Sequence, residues 1–147
     1  SLKNAVGDSN HLRNSLIPCI LKNLSVNQHN EYPQNLFEVG RVFDYGNTET
    51  GVVEKETLTV TICHETSDFT DCKQVLDALI SSLGMTVSVK ESHNNSFIKG
   101  RVADVLVKNK KLGIIGEVHP QVLANWSLHM PVSVFELDLE ELFKLIM

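Results

Sequence analysis

The stretch from Lys111 to Leu142 constrains the fold more than any other part of this chain. It opens with the apolar run Leu112–Val118, which contains two glycines and has the length of a strand. The run stops at His119 and Pro120, because proline lacks the backbone amide that a central strand donates to its neighbour. The chain therefore leaves the predicted sheet at this point.

A helix and a second strand follow within the same stretch. Val122, Leu123 and Trp126 have the spacing of one face of a short helix, and Pro131 ends that passage. From Val132 to Leu139 polar and apolar residues alternate, which predicts a strand with one strongly apolar side. Apolar faces of this kind need a partner layer, which the rest of the chain must supply.

The other elements follow from local periodicity and from turn residues. The predicted strands are Leu36–Tyr45, Thr57–Cys63, Met85–Val89, Arg101–Val107, Leu112–Val118 and Val132–Leu139. Four helices are predicted. The first has Ser15 as its N-cap and Pro18 in its first turn, and the others begin at Asp68, after Pro120 and at Glu140. Gly84 is predicted to end the second helix, Asn109 to adopt a positive φ in a hairpin turn, and Gly46–Glu56 to form a loop.

These elements predict the fold class. About six strands follow one another without regular helical crossovers, alongside about four helices. We therefore predict an α+β fold in which a mainly antiparallel sheet is flanked by helices. The 147 residues have the size of one domain, which we expect to span residues 1–147.

The charge distribution argues against a surface that binds nucleic acid by itself. The net charge is −5 at pH 7, whereas nucleic-acid-binding surfaces are usually basic. Lys108, Lys110 and Lys111 form the only basic cluster, and we interpret them as the solvated turn of a hairpin. Any role with RNA would then depend on other chain segments.

Compartment and membrane association are predicted from apolar runs and cysteines. No apolar run approaches the ~18 residues of a membrane span, and Ser1–Asn14 is polar, without the apolar core of a signal peptide. Cys19, Cys63 and Cys72 make an odd count, which favours reduced thiols. We therefore expect a cytoplasmic protein without a membrane partner.

Metal binding is a minor alternative. Cys63, His64 and Cys72 are potential zinc ligands, but they have neither C-x-x-C nor H-x-x-x-H spacing. Buried thiols that pack as small apolar residues are the favoured interpretation.

Sequence motifs of catalytic sites are absent. There is no G-x-S-x-G elbow, no Walker loop and no G-x-G-x-x-G. Glu117 and His119 lie two residues apart on a predicted strand and would share a face. Structural hydrogen bonding is the favoured interpretation of this pair, and an acid/base couple is the minor alternative. Arg41, beside Glu38 and Asp44, is predicted to form an ion pair on the sheet face rather than to bind a phosphate.

Three segments in the same order carry a resemblance to a known family. They are Leu12–Pro18, Leu36–Phe43 and Gly113–Leu142. Together they resemble the class II synthetase-like core domain of the phenylalanyl-tRNA synthetase β subunit, in its archaeal or eukaryotic form. The positions that match its signature are Leu12, Arg13, Pro18, Gly40, Arg41, Gly116, Glu117, His119, Pro120 and Glu136.

The resemblance implies a fold copied from the class II catalytic module and a division of labour between subunits. In this family the α subunit activates phenylalanine with ATP and charges the tRNA, and the β core is its non-catalytic partner in an α2β2 heterotetramer. The resemblance further implies that tRNA, ATP and magnesium are bound by the whole enzyme, with no cofactor in this fragment. The first motif and the magnesium-binding domain would lie upstream, so we expect an exposed sheet edge or apolar patch here.

The residues agree with lost catalysis. In a working class II site an arginine follows the first strand of the second motif, in a sequence similar to R-V-F-R. The matching residues of this chain are Arg41-Val42-Phe43-Asp44. An acid therefore stands where the ATP phosphates need a cation, and the glycine-rich third motif is absent near the C-terminus. We predict no catalytic, cofactor-binding or metal-binding residue. The alternatives are a self-sufficient class II ligase and a small-molecule-binding module whose cleft is lined by Arg41, Glu117 and His119.

Overall fold

A six-stranded antiparallel sheet organises the computed structural model, which describes residues 15–44 and 53–146. The strands are β1 Gln34–Asp44, β2 Val53–Cys63, β3 Val87–Glu91, β4 Phe97–Val107, β5 Lys110–Val118 and β6 Val132–Asp138. The helices are α1 Ile17–Val26, α2 Phe69–Ser82, α3 Pro120–Asn125 and α4 Leu139–Ile146. The strand order is β1-β2-β6-β5-β4-β3, and every neighbouring pair is antiparallel. The predicted α+β fold with an antiparallel sheet flanked by helices is confirmed.

Helices cover both faces of the sheet, and each face has its own core. On one side, which we call the α2 face, α2 and α4 pack against strand residues that include Ile62, Val105 and Phe135. On the opposite side, which we call the α1 face, α1 and α3 pack against Val132 and Val134 among others. Each of these helices buries apolar side chains in one of the two cores, as Leu76 of α2 and Leu21 of α1 illustrate.

Two glycines allow the central strands to approach closely. A Cβ atom on Gly113 would lie 1.8 Å from the carbonyl oxygen of Glu136, which is backbone and has no room to yield. A Cβ atom on Gly116 would lie 2.7 Å from the ring of Phe97. The glycines inside β5 therefore serve tight packing in the sheet.

The predicted strands differ from the observed ones mainly where they begin. β2 begins at Val53, so the last part of the predicted loop Gly46–Glu56 is strand, and residues 45–52 lie outside the described residues. β4 begins at Phe97 instead of Arg101. Pairing with β1 explains the early start of β2, because tertiary pairing overrides the low strand propensity of charged residues.

The local signals for helix ends and turns are confirmed, with one correction. Pro18 lies in the first turn of α1, Gly84 follows α2 with φ +78°, and Asn109 has φ 64°. Ser15 is not the N-cap of α1, because that position is Leu16. The Ser15 hydroxyl still accepts a hydrogen bond from the amide of Ile17 at 3.0 Å.

Candidate functional site

The centre of the α1 face holds a carboxylate with three hydrogen-bond donors. Glu136 Oε2 accepts hydrogen bonds from Thr59 Oγ1 at 2.6 Å, from the amide of Leu16 at 3.0 Å and from Ser15 Oγ at 3.1 Å. We call these four residues the Glu136 cluster. It ties β2 and β6 to the segment that leads into α1.

The electrostatics of the cluster come from burial and from neutral donors. Burial raises the pKa of Glu136 above its ordinary value of 4.5, while the hydrogen bonds from Thr59, Leu16 and Ser15 act in the opposite direction. The three donors to Oε2 are a threonine hydroxyl, a serine hydroxyl and a backbone amide, none of which is charged. Glu136 therefore serves as a hydrogen-bonded anchor.

A second carboxylate lies in the same row of the sheet. Glu38 is directly opposite Thr59, and Thr59 is directly opposite Glu136, so all three side chains lie on the α1 face. The two glutamates are separated by two strand spacings, or about 10 Å. Glu38 Oε2 is buried and has no hydrogen-bond partner among the described residues. A phosphate bound at this row would meet two acidic groups, which makes the row unsuitable for an anionic ligand.

The segment before α1 also covers this part of the sheet. Leu16 is fully buried, as are Ile20, Leu21 and Leu24 of α1. The hydrogen bond from the Leu16 amide to Glu136 holds this residue against the sheet. The α1 face is therefore closed where the Glu136 cluster lies.

Arg41 forms an ion pair on the sheet face, as predicted, but with partners on β2. Its Nη1 lies 2.7 Å from Glu54 Oε1, and its Nε lies 3.8 Å from Glu56 Oε1. Glu38, three residues before Arg41 on β1, points to the opposite face of the sheet, the α1 face. The Arg41 guanidinium is thus bound by carboxylates.

Glu117 and His119 have separate structural roles. Glu117 Oε2 accepts from the amide of Phe69 at the start of α2, and its Oε1 lies 2.9 Å from Arg101 Nη1. β5 ends at Val118, so His119 is not a strand residue, contrary to the prediction. It is the N-cap of α3, where its Nδ1 accepts from the amide of Gln121 at 3.0 Å. Both side chains make structural hydrogen bonds, which is the interpretation favoured from the sequence, and they do not form the alternative acid/base couple.

The cleft proposed for Arg41, Glu117 and His119 is not assembled. Arg41 lies on β1 opposite Glu56, whereas Glu117 lies on β5 opposite Ser133. Three strand spacings and about six residues along the strands separate the two positions, which amounts to roughly 20 Å or more. The structure therefore gives no support to a small-molecule site that combines these residues.

An open pocket of about 340 Å³ lies beside Glu117, next to α3. About half of its lining residues are apolar, and the polar ones are Thr66, Ser67, Asp68, Arg101, Glu117 and His129. Arg101 is held by the Glu117 carboxylate at 2.9 Å, so this guanidinium is already neutralised by its own chain. The pocket does not present the uncompensated cation that a phosphate would require.

Cys63 and Cys72 are buried among apolar residues, in different cores. Cys63 belongs to the core of the α1 face and Cys72 to that of the α2 face, on opposite sides of the sheet. Burial raises the pKa of Cys63 to about 11 and that of Cys72 to about 12. His64 lies 3.1 Å from Asp71 Oδ2. Among the described residues no group of three or more His, Cys, Asp or Glu side chains is arranged to hold a metal ion.

The other signature positions are structural where the structure describes them. Gly40 lies opposite Thr57 in the β1–β2 pairing, and Pro120 begins α3. Leu12 and Arg13 lie outside the described residues. No signature position contacts an assembled group of catalytic residues in the part of the chain that the structure describes.

Three important polar residues were not predicted from the sequence. Thr59 and Ser15 donate to Glu136, and Arg101 neutralises Glu117. One signal was present in the sequence. Threonine recurs at every second position of β2, at Thr57, Thr59 and Thr61, and this spacing indicates a row of polar side chains on one face of the strand. All three are buried in the structure. Ser15 and Arg101 contact partners more than a dozen residues away, which no local pattern reveals.

Comparison with known proteins identifies the family. The family model of the phenylalanyl tRNA synthetase beta chain CLM domain matches residues 2–139. This chain belongs to that family. The resemblance inferred from the three segments is thereby confirmed.

Curated relatives agree with this assignment. The CLM domain is 45% identical over 134 residues to the phenylalanine–tRNA ligase beta subunit of Thermococcus onnurineus, and 42% identical over 135 residues to that of Methanosarcina acetivorans. The matches cover 90% and 92% of this chain but only 23% and 24% of the relatives. The chain thus spans about a quarter of the length of the proteins it matches.

A solved structure shares the fold. Desulfitobacterium hafniense PylSc, a pyrrolysyl tRNA synthetase, superposes with a TM-score of 0.70 at 17% identity, over 91% of this chain and 49% of the other. At this identity the comparison concerns the fold alone. Within the described residues, no helix combines the length and the apolar character needed to cross a membrane.

Proposed function

We propose that this CLM domain is the non-catalytic, class II synthetase-like core of a phenylalanine–tRNA ligase β subunit and that it packs against the catalytic α subunit. In this way it supports the ATP-dependent attachment of phenylalanine to its tRNA. The observation that carries the proposal is the match of nearly the whole chain, residues 2–139, to a domain of the β chain. The fold shared with a pyrrolysyl tRNA synthetase supports the class II-like architecture.

The geometry favours a packing role over catalysis. The α1 face is closed by the segment before α1, and its central row contains Glu38 and Glu136 without a neighbouring arginine in the pairing register. Arg41 and Arg101 are both bound by carboxylates on the α2 face. Adenylate formation requires preorganised cations at developing negative charge, and the removal of one such group costs about 3–4 kcal/mol. A self-sufficient ligase is therefore the less favoured function.

The same assignment sets the expected partners. ATP, magnesium and tRNA would be bound by other parts of an α2β2 enzyme, with no cofactor held by this domain. The enzyme would work in the cytoplasm. The support for these statements is the membership of the β-subunit family.

Co-purification tests the partner. A full-length β subunit that contains this domain is expressed with the α subunit, and the mass of the complex is measured by light scattering. We expect an α2β2 mass and chemical cross-links between α peptides and lysines of this domain. Separate subunits, or a complex without such cross-links, would contradict the proposed packing role.

A further inference from the structure

Glu38 is a buried carboxylate that the described residues leave without a cation. Three buried side-chain oxygens have no hydrogen-bond partner in the described part of the chain, namely Glu38 Oε2, Asp104 Oδ1 and Glu141 Oε2. Asp104 Oδ1 lies 3.4 Å from Lys111 Nζ, and Glu141 Oε2 forms an ion pair with Lys110. None of the ion pairs between described residues includes Glu38.

A carboxylate in this position favours a basic partner. Burial of a charge without a partner is unfavourable, and the removal of one member of a buried ion pair is strongly destabilising for the same reason. Among basic side chains, arginine fits a carboxylate best because its planar guanidinium can donate two parallel hydrogen bonds. The partner of Glu38 is therefore to be sought among the residues outside the described ranges.

The segment before α1 leads to the row of side chains that contains Glu38. Ser15 Oγ and the Leu16 amide both donate to Glu136 Oε2, which fixes this segment above β6. Thr59 lies between Glu136 and Glu38 in the row, so two strand spacings, or about 10 Å, separate the two glutamates. α1 packs over β1 and β2, and β1 is the strand that carries Glu38.

Arg13 is the basic residue nearest to this anchor in the sequence. It lies two residues before Ser15, and two extended residues span about 7 Å. The long side chain of arginine would cover the remaining ~3 Å to Glu38. Before Ser15 the sequence has one other lysine or arginine, Lys3, which is twelve residues away.

We propose that Arg13 forms an ion pair with Glu38, and that residues 13–16 are thereby held at both carboxylates of the row. We call these four residues the N-terminal strap. One end of the strap binds Glu38 on β1, and the other end binds Glu136 on β6. The strap closes the α1 face with the chain's own cation, so no carboxylate of the β1–β2–β6 part of the row remains for a cationic ligand.

Arginine labelling tests the pair in the wild-type chain. The sequence has three arginines, Arg13, Arg41 and Arg101, and peptide mass spectrometry follows the reaction of each with phenylglyoxal. Glu38→Gln should speed the modification of Arg13 several-fold, because it removes the charged partner of the guanidinium. Arg101 is 59% exposed and paired with Glu117, and it serves as the matched control whose rate should not change. Equal rates for Arg13 in the wild type and in Glu38→Gln would overturn the proposal.

A double-mutant cycle measures the strength of the pair. Arg13→Met, Glu38→Gln and the double variant of the 147-residue chain are unfolded with urea. Each single substitution should raise the equilibrium constant of unfolding, and the double variant should raise it no further than the more damaging single one. We expect a coupling of roughly tenfold or more in this constant. In the matched cycle of Lys3→Met with Glu38→Gln, the two effects should simply multiply.

Three other outcomes of the cycles each overturn the proposal. Coupling of Glu38 with Lys3 would assign the cation to Lys3. Coupling of Arg13→Met with Glu136→Gln, but not with Glu38→Gln, would place Arg13 at the other carboxylate. Independent effects of Arg13→Met and Glu38→Gln would show that the two side chains do not meet. None of these results changes the expected outcome of co-purification, so failure of this inference is distinguishable from failure of the proposed function.

Discussion

The two faces of the sheet are completed in different ways. On the α1 face, a partly buried carboxylate accepts hydrogen bonds from the segment before α1, and this segment covers the centre of the face. On the α2 face, apolar packing covers the central strands but leaves Phe37 and Val39 exposed at the edge. The comparison indicates that the centre of the α1 face is closed by hydrogen bonds from the segment before α1, whereas the α2 face keeps exposed apolar side chains at its β1 edge.

A pair of phenylalanines gives the largest contrast. Phe135 is fully buried in the α2-face core, whereas Phe37 is 76% exposed. Phe135→Ala should lower the free energy of unfolding by about 3–5 kcal/mol because it leaves a cavity. Phe37→Ala should change it by no more than about 0.5 kcal/mol in the 147-residue chain. Urea unfolding of both variants measures the difference, and similar losses would show that Phe37 is part of the domain core.

The Glu136 cluster should give the next largest effect. Glu136→Ala leaves the donors of Ser15, Leu16 and Thr59 without their acceptor, at a cost of about 2–3 kcal/mol in the free energy of unfolding. The control Glu140→Ala, at an exposed position, should cost no more than about 0.5 kcal/mol. Hydrogen exchange should also show faster exchange of the Leu16 and Ile17 amides in Glu136→Ala. Unchanged exchange would mean that Glu136 does not hold this segment.

The pH dependence of stability is the smallest expected effect. Burial raises the pKa of Glu136 in the folded state above 4.5, so the folded protein binds this proton more tightly than the unfolded chain. The resulting stabilisation is fully present below pH 4.5 and is lost as pH rises through the raised pKa. The stability of the wild type relative to Glu136→Gln should therefore fall as pH rises through this window. If the relative stability of the wild type rises with pH instead, the hydrogen bonds lower the pKa of Glu136 by more than burial raises it.

The sequence predicted the fold well because the patterns that determine it are local. The alternation in Val132–Leu139 and the apolar spacing of α2 correspond to observed elements, and Gly84 and Asn109 adopt the backbone conformations expected of them. The family resemblance rested on three linked segments and was confirmed by comparison.

The candidate site was predicted less well because its contacts are long-range. Ser15 and Glu136 are 121 residues apart, and Arg101 and Glu117 meet only because β4 and β5 pair. For Glu117 and His119, the spacing in the sequence suggested a shared strand face that the structure does not have. His119 is instead the N-cap of the helix that begins at Pro120. Sequence spacing predicts which residues share an element, whereas a site also depends on how elements are paired.

The central claim is that this domain packs in a ligase without activating an amino acid. The decisive measurement is ATP–pyrophosphate exchange with phenylalanine. It is made on the 147-residue chain alone, on the α subunit with the full-length β subunit, and on a blank. We expect exchange by the complex and a rate for the isolated chain equal to that of the blank. Phenylalanine-dependent exchange by the isolated chain would contradict it.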